Sequence, residues 1–377
     1  MMVGNKRFKK DTAMKKIMFL VFITAALTSC ENSEWEFPDY ENDAVYFAYQ
    51  YPVRTVVLGE DLFDNRLDNE HKIEIYASWG GGYTNDHNVV IDFSVEPSLC
   101  DNLYFDNPED RVLPMPSNYY SLGSNTIEIP KGEVAGGVEI QLTDAFFADE
   151  LATGRNYVIP LQMNRVMNAD SILRGKSDLE NPNRNIATDW TVVPKDYVLY
   201  AVNYINTWDG NYLRRGIDEI TKNGTTTTAV RHSAFVENDE VVSLNTVSLD
   251  ELKYPISYAN SLGINLNYKV DLTFDNDNSF AVSPVMAYQV NDSVRVYDIQ
   301  AIGMGEFVKD GEKKSWGNKD RDALYMDYQT SFKVRTTFPN TTPARAEILD
   351  EYAYRTKDTL VARDRGVGKE TFNVIVK

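Results

Sequence analysis

The chain has 377 residues, with 38 Lys and Arg against 56 Asp and Glu, a formal net charge of −18. A chain this acidic repels nucleic acid and anionic headgroups, so nucleic acid is not an expected partner. Its length suggests about two domains, and its two cysteines are too few for a disulfide framework.

The first stretch with a definite reading is residues 14–30, MKKIMFLVFITAALTSC. Lys15 and Lys16 precede an apolar run over 17–27, and Leu27, Thr28, Ser29 and Cys30 end it with small residues and a cysteine. The run is too short to span a bilayer. A short membrane helix or a buried helix is the competing reading. The stretch resembles a bacterial lipoprotein signal peptide with its lipobox. That resemblance implies cleavage before Cys30 and acylation of its thiol and new amine. Each buried methylene contributes about 0.8 kcal/mol, so several acyl chains make a durable anchor. Glu31, Asn32, Ser33, Glu34, Trp35 and Glu36 follow, an acidic cluster that looks like the export signal of Bacteroidetes outer-leaflet lipoproteins. The expectation is a signal peptide at 1–29, a lipidated tether at 30–40, and a protein held at the outer membrane facing the cell exterior. Removing 1–29 strips six basic residues and one acidic residue, so the mature chain is more acidic still. Cys100, in EPSLCDN, is then its one free thiol and is expected to be small, buried and inert.

Residues 41–205 read as a β-sandwich. Val45, Phe47 and Tyr49 alternate, as do Ile73, Ile75, Ala77 and Trp79, then Val89, Ile91, Phe93 and Val95. Ile127 and Ile129, then Val138, Ile140 and Leu142, then Tyr157, Ile159, Leu161 and Met163 continue the pattern. Period-two runs broken by Gly, Pro and Asn argue for antiparallel strands, and their number suits a sandwich. The segment 144–154 reads as one short helix closed by Gly154. Pro160 within a strand predicts an edge position. Tyr120 and Leu122, the IEIPKG turn and the YVIPL strand resemble an adhesin-like, immunoglobulin-type sandwich of Bacteroidetes surface lipoproteins. Such proteins often belong to polysaccharide-utilisation systems, and the resemblance implies fold and habitat rather than chemistry.

Residues 179–190 read as a loop, and Tyr197, Leu199 and Ala201 as the last strand of the first domain. Asn206, Thr207, Trp208, Asp209 and Gly210 look like a hinge, with Trp208 packing between domains. Residues 206–377 form the second domain. Its Gly210, Tyr212 and Gly216 opening resembles the lipocalin-like β-barrel partner of the same lipoproteins; barrel and sandwich both remain open. Leu266, Tyr268, Val270, Leu272 and Phe274 alternate, followed by Phe280 and Val282, then Val294 and Val296. Leu324, Met326, Tyr328, Thr330, Phe332 and Val334 make the longest alternation, and Phe372, Val374 and Val376 are expected to close the domain. The fold class is therefore all-β: an immunoglobulin-like sandwich, then an antiparallel barrel or sandwich.

No Gly-x-Ser-x-Gly elbow, His-Glu-x-x-His or phosphate loop is present. His71, His87 and His232 are widely spaced, and no metal or cofactor is expected. Asp275, Asn276, Asp277, Asn278 and Ser279 hint at a calcium loop, but its sixth and twelfth positions are Phe280 and Met286, so a hairpin turn is the better reading. Aromatic residues are the leading signal, because a sugar ring pairs an apolar face with a hydroxyl rim. Trp316, in the polar GEKKSWGNKDRD, with Tyr325, Asp327 and Gln329 on the adjacent strand, is read as a glycan platform or as a cap on the barrel end. Trp79 follows the apolar phase of its strand, and the Gly80, Gly81, Gly82, Tyr83 loop keeps Trp79 and Tyr83 as secondary candidates. The expected function is non-enzymatic capture of a polysaccharide or oligosaccharide, alongside outer-membrane uptake proteins. The rivals are a structural or adhesin-type subunit binding protein partners, and a glycoside hydrolase with two carboxylates roughly 5–10 Å apart.

Overall fold

The computed structural model describes residues 42–60, 63–107, 109–259, 262–284, 288–338 and 345–377. The signal peptide, Cys30, the acidic cluster behind it and Trp35 lie outside the described residues. Among those described, no helix is long and apolar enough to cross a membrane.

The first half carries β1 (Ala44–Tyr46), β2 (Pro52–Val57), β3 (Lys72–Gly80), β4 (Val89–Val95), β5 (Leu103–Tyr104), β6 (Leu113–Pro114), β7 (Tyr120–Leu122), β8 (Thr126–Ile129), β9 (Ala135–Leu142), β10 (Tyr157–Met167), β11 (Ser171–Ile172) and β12 (Tyr197–Ile205). One sheet runs β11-β1-β3-β9-β7; the other contains β2-β12-β10-β4-β8, with β6 beside β10. The alternating residues of β3, β4, β8, β9 and β10 meet in one core, including Ile75, Ile91, Ile140 and Leu161. This is the expected sandwich, with local differences. Strand β1 ends at Tyr46, and Tyr49 is exposed. The segment 144–154 is two helical turns, α1 (Asp144–Phe147) and a 3-10 turn at Glu150–Thr153, where Asp149 accepts Leu151 N–H.

Strand β10 is central, paired with both β12 and β4, so Pro160 is not at an edge. Its carbonyl accepts from Glu96 N, on the side where β4 has already ended at Val95 and β6 reaches only Tyr157 and Val158. The missing N–H therefore faces a gap in the ladder, where no partner is lost.

The second half carries β13 (Gly210–Lys222), β14 (Thr225–Arg231), β15 (Glu240–Thr246), β16 (Glu251–Ala259), β17 (Asn265–Phe274), β18 (Ser279–Pro284), β19 (Tyr288–Asn291), β20 (Val294–Glu312), β21 (Arg321–Thr336) and β22 (Ile348–Asp364). They form one sheet in the order β14-β13-β15-β16-β17-β18-β20-β21-β22, with β19 beside β20. Strand β13 also bonds β22 from Asn211 to Lys222, which closes the sheet into a barrel. The turn between β17 and β18 is a hairpin, with Asp275 N bonded to Ser279 O and Asn278 at φ 64°.

The barrel interior is filled with side chains rather than open. Leu252, Leu266, Leu272, Phe280 and Leu324 are buried at its centre. The inward glycines make room for their neighbours: Tyr328 Cα and Cβ lie where a Cβ on Gly303 would stand, and the Phe280 ring where one on Gly305 would. Among these side chains lies a charged cluster. Asp358 Oδ2 accepts from Arg214 Nε at 3.1 Å, Tyr328 Oη at 2.9 Å and Tyr254 Oη at 3.0 Å, and its Oδ1 accepts from Arg231 Nη2 at 2.7 Å. Arg231 also grips Asp218, which takes a further bond from Thr356 Oγ1 at 2.7 Å. Burial opposes ionisation of Asp358, but the adjoining guanidiniums of Arg214 and Arg231 outweigh it and hold the carboxyl below its usual range.

The chain end does not close the barrel. After β22 it returns to the first half as β23 (Glu370–Thr371), paired with β2, and β24 (Ile375–Val376), paired with β5. Phe372 packs with Leu103, Phe105, Val158, Leu199 and Cys100 in a small core on the outer face of the second sandwich sheet. That cover explains why β12 is buried on both faces: Leu199 and Ala201 face the small core, Val202 and Tyr204 the main one. Burial pushes the Cys100 thiol up to about 12, with Asp101 adding to it, so it is held neutral.

Candidate functional site

The junction between the halves is fastened. Asn206 is fully buried; its Nδ2 donates to Ser248 O and Glu251 O, and its Oδ1 accepts from Trp208 N and Asp209 N. Arg365 donates to Asn206 O at 2.6 Å and Leu58 O at 3.2 Å, tying the linker and the sandwich to the returning strand. The expected hinge is therefore a joint, because its polar groups are spent on both sides. Trp208 stacks on Phe274 at 3.8 Å and an 8° interplanar angle, at the barrel end nearest the sandwich.

Beside this joint lies a cleft of ≈ 750 Å³. The β2 edge and the following loop form one wall through Arg54, Phe63, Asn65 and Asp68. The end of the β20–β21 hairpin supplies Lys309, Arg321 and Asp322, and the returning linker supplies Arg363 to Lys369. Short polar loops and strand ends put these side chains at the surface rather than in a core. Some of the charges neutralise each other: Arg54 pairs with Asp68, and Lys309 with Glu60 at 2.6 Å. Burial raises the Asp209 carboxyl, although Thr246 N–H and Oγ1–H both donate to it. Phe63, 76% exposed, is the cleft's most exposed large apolar side chain, with Val53, Val57, Ala362 and Val367 also in the lining.

The expected platform residues are only partly brought together. Trp316 is half-buried on a tight turn, its Nε1 donating to Ala362 O at 3.0 Å, and the Arg321 guanidinium lies 3.7 Å from its ring centroid. It borders the cleft behind Arg321. Tyr325 donates to Glu312 Oε1 at 2.9 Å in the same hairpin; burial and that carboxylate push its hydroxyl up to about 12. Asp327, paired with Lys357 at 3.5 Å, and Gln329 are exposed further along the outer barrel wall, outside the cleft. Trp79 is 6% exposed in the sandwich core, its Nε1 donating to Asp43 Oδ2 at 2.8 Å, so it has no free face to offer a ligand. Tyr83 is exposed on the sandwich loop and does not line the cleft. Phe63 was not among the expected residues. Its signal is the one that singled out Trp316: a lone aromatic in a polar run, GEDLFDNR. Among the described residues, no group of three or more His, Cys, Asp or Glu is placed to hold a metal.

Fold and cleft together define a two-part, all-β protein with a polar groove at its joint. A family model for a domain of unknown function, DUF5627, matches residues 207–366, and an N-terminal-domain family model matches residues 40–170. A crystal structure of a protein of unknown function from Bacteroides ovatus is 47% identical, covers 90% of this chain and 100% of its own, and has a TM-score of 0.77. The chain belongs to the family of that protein. A multidomain protein including DUF1735 from Bacteroides ovatus is 12% identical over 84% of this chain and 94% of its own, at a TM-score of 0.37. An auxiliary nutrient binding protein from Bacteroides thetaiotaomicron is 10% identical over 82% and 90%, at 0.35. No curated protein matches the chain.

Proposed function

We propose that the protein is a non-catalytic lipoprotein, anchored at the outer membrane through Cys30, that captures glycan in the joint cleft for uptake. The observation that carries this reading is Phe63: an aromatic ring 76% exposed inside a ≈ 750 Å³ cleft otherwise rich in hydrogen-bonding side chains. A sugar ring needs that pairing of a flat apolar face with donors and acceptors around it. The fastened joint supports it, since a cleft held open in advance loses little on binding. The non-catalytic part rests on the cleft carboxyls. Asp209, the one raised by burial, is held by two donors from Thr246 rather than left to protonate a leaving group. The protein-partner reading is favoured by β14, which among the described residues pairs with β13 alone and leaves its other edge open.

The test is affinity gel electrophoresis of residues 31–377 against a polysaccharide panel, with a reducing-sugar assay alongside. Retardation without sugar release is expected. Phe63→Ala is expected to weaken binding roughly tenfold or more, since a fully buried Phe contributes about 1.5–3 kcal/mol. Undiminished binding by that variant removes the cleft as the site.

A further inference from the structure

We propose that the glycan bound in the cleft carries a carboxylate, as uronic acids do, and that Arg321 receives it. This rests on the reading of the cleft as a glycan site and specifies its ligand.

Arg321 lines the cleft, and its guanidinium stands 3.7 Å from the Trp316 ring centroid. Its Nε donates to Trp316 O at 3.3 Å. Its two terminal nitrogens make no hydrogen bond or ion pair among the described residues. The group is thus held on one side by an indole, itself pinned to Ala362 O, and presents an unused pair of donors. A planar guanidinium fixed in this way matches a carboxylate with two parallel hydrogen bonds and loses little rotamer freedom in doing so.

Arg54 holds Asp68, and Arg365 donates to backbone carbonyls. Arg363 is 47% exposed with its Nε 3.5 Å from Asp364, and it lacks the indole that fixes Arg321. Lys309 holds Glu60, and Lys369 is an exposed point charge at the rim. The acidic neighbours of Arg321 have donors of their own: Lys313 and Lys314 N–H for Asp320, and Asp310 N–H for Asp322. Acidic residues still outnumber basic ones around the cleft, so it disfavours a densely charged chain. The arrangement selects a mostly neutral glycan with a carboxylate at one position, its sugar face against Phe63 and its acid on Arg321.

The test compares binding of sparsely uronate-bearing polysaccharides (glucuronoxylan and gum arabic) with binding of their carboxyl-reduced counterparts. The wild type is expected to bind at least one native polymer tenfold or more tighter than its reduced form, with the preference shrinking as salt rises. Arg321→Ala is expected to abolish the preference, so that it binds native and reduced forms alike; Arg321→Lys is expected to keep part of it. Unaltered urea midpoints show that both variants fold. Equal binding of native and reduced polymers overturns the carboxylate proposal and leaves the glycan site standing. A preference that survives Arg321→Ala overturns the assignment to Arg321. Retardation by neither form overturns the glycan site and this proposal together.

Discussion

Asp358 is the residue on which the barrel interior turns. Its carboxylate answers two guanidiniums and two tyrosine hydroxyls in a space closed to water. Removing one member of a buried ion pair leaves the others charged and unpaired, which costs about 3–5 kcal/mol. Asp358→Asn is therefore expected to lower unfolding stability by about that amount in urea denaturation at neutral pH. The sign with pH follows from the depressed carboxyl. The stability it contributes is present above its unfolded value, about 3.9, and lost as pH falls through the lower folded value. The gap between wild type and Asp358→Asn is expected to narrow below about pH 4. Equal loss across the whole range counts against ionisation as the source.

At the scale of elements, that same cluster explains what sequence reading could and could not see. Strands β3, β9, β17 and β21 announce themselves by apolar alternation, because their inward residues are Ile, Val, Leu, Tyr and Phe. Strands β13 and β22 are as long and as regular, yet their inward positions include Arg214, Asp218, Thr356 and Asp358. A polar residue facing inward reads like one facing water, so the two strands that close the barrel carry no clear alternation. Strand β20 shows an apolar signal only at its start: Asp298 at φ 51° breaks the register, and inward Gly303 and Gly305 carry no apolar side chain. The alternation of Phe372, Val374 and Val376 predicts one strand closing the second domain; instead Phe372 and Val374 lie between two two-residue strands on the first half, since alternation says nothing about which sheet a segment joins. Phe372, 3% exposed among Phe105, Leu103 and Tyr51, sits at the centre of its small core. Phe372→Ala is expected to cost about 3–5 kcal/mol. Hydrogen exchange is expected to place the loss in β2, β5 and β12 rather than in the barrel.

For the molecule as a whole, the all-β class and its two-part order were legible, because they depend on strand count and turn chemistry spread along the chain; for the second half barrel and sandwich stayed open. The cleft was not, because Phe63, Arg321 and Arg365 come from three separated segments that no local pattern relates. Its rigidity depends on Arg365, which bonds Leu58 O and Asn206 O from the far side of the barrel sequence. Arg365→Ala is expected to leave both cores intact while speeding hydrogen exchange at residues 206–210. It is also expected to broaden the distance distribution between labels placed on the two halves. An unchanged distribution assigns the stiffness to Asn206 and its own bonds.

The returning tail has one more consequence. Synthesis runs from the first residue to the last, and most domains are complete before the next begins to emerge. Here Phe372, which packs on Phe105 in the small core of the first half, is made only after the whole barrel. A chain cut short within the second half is therefore expected to expose that small core on its first half.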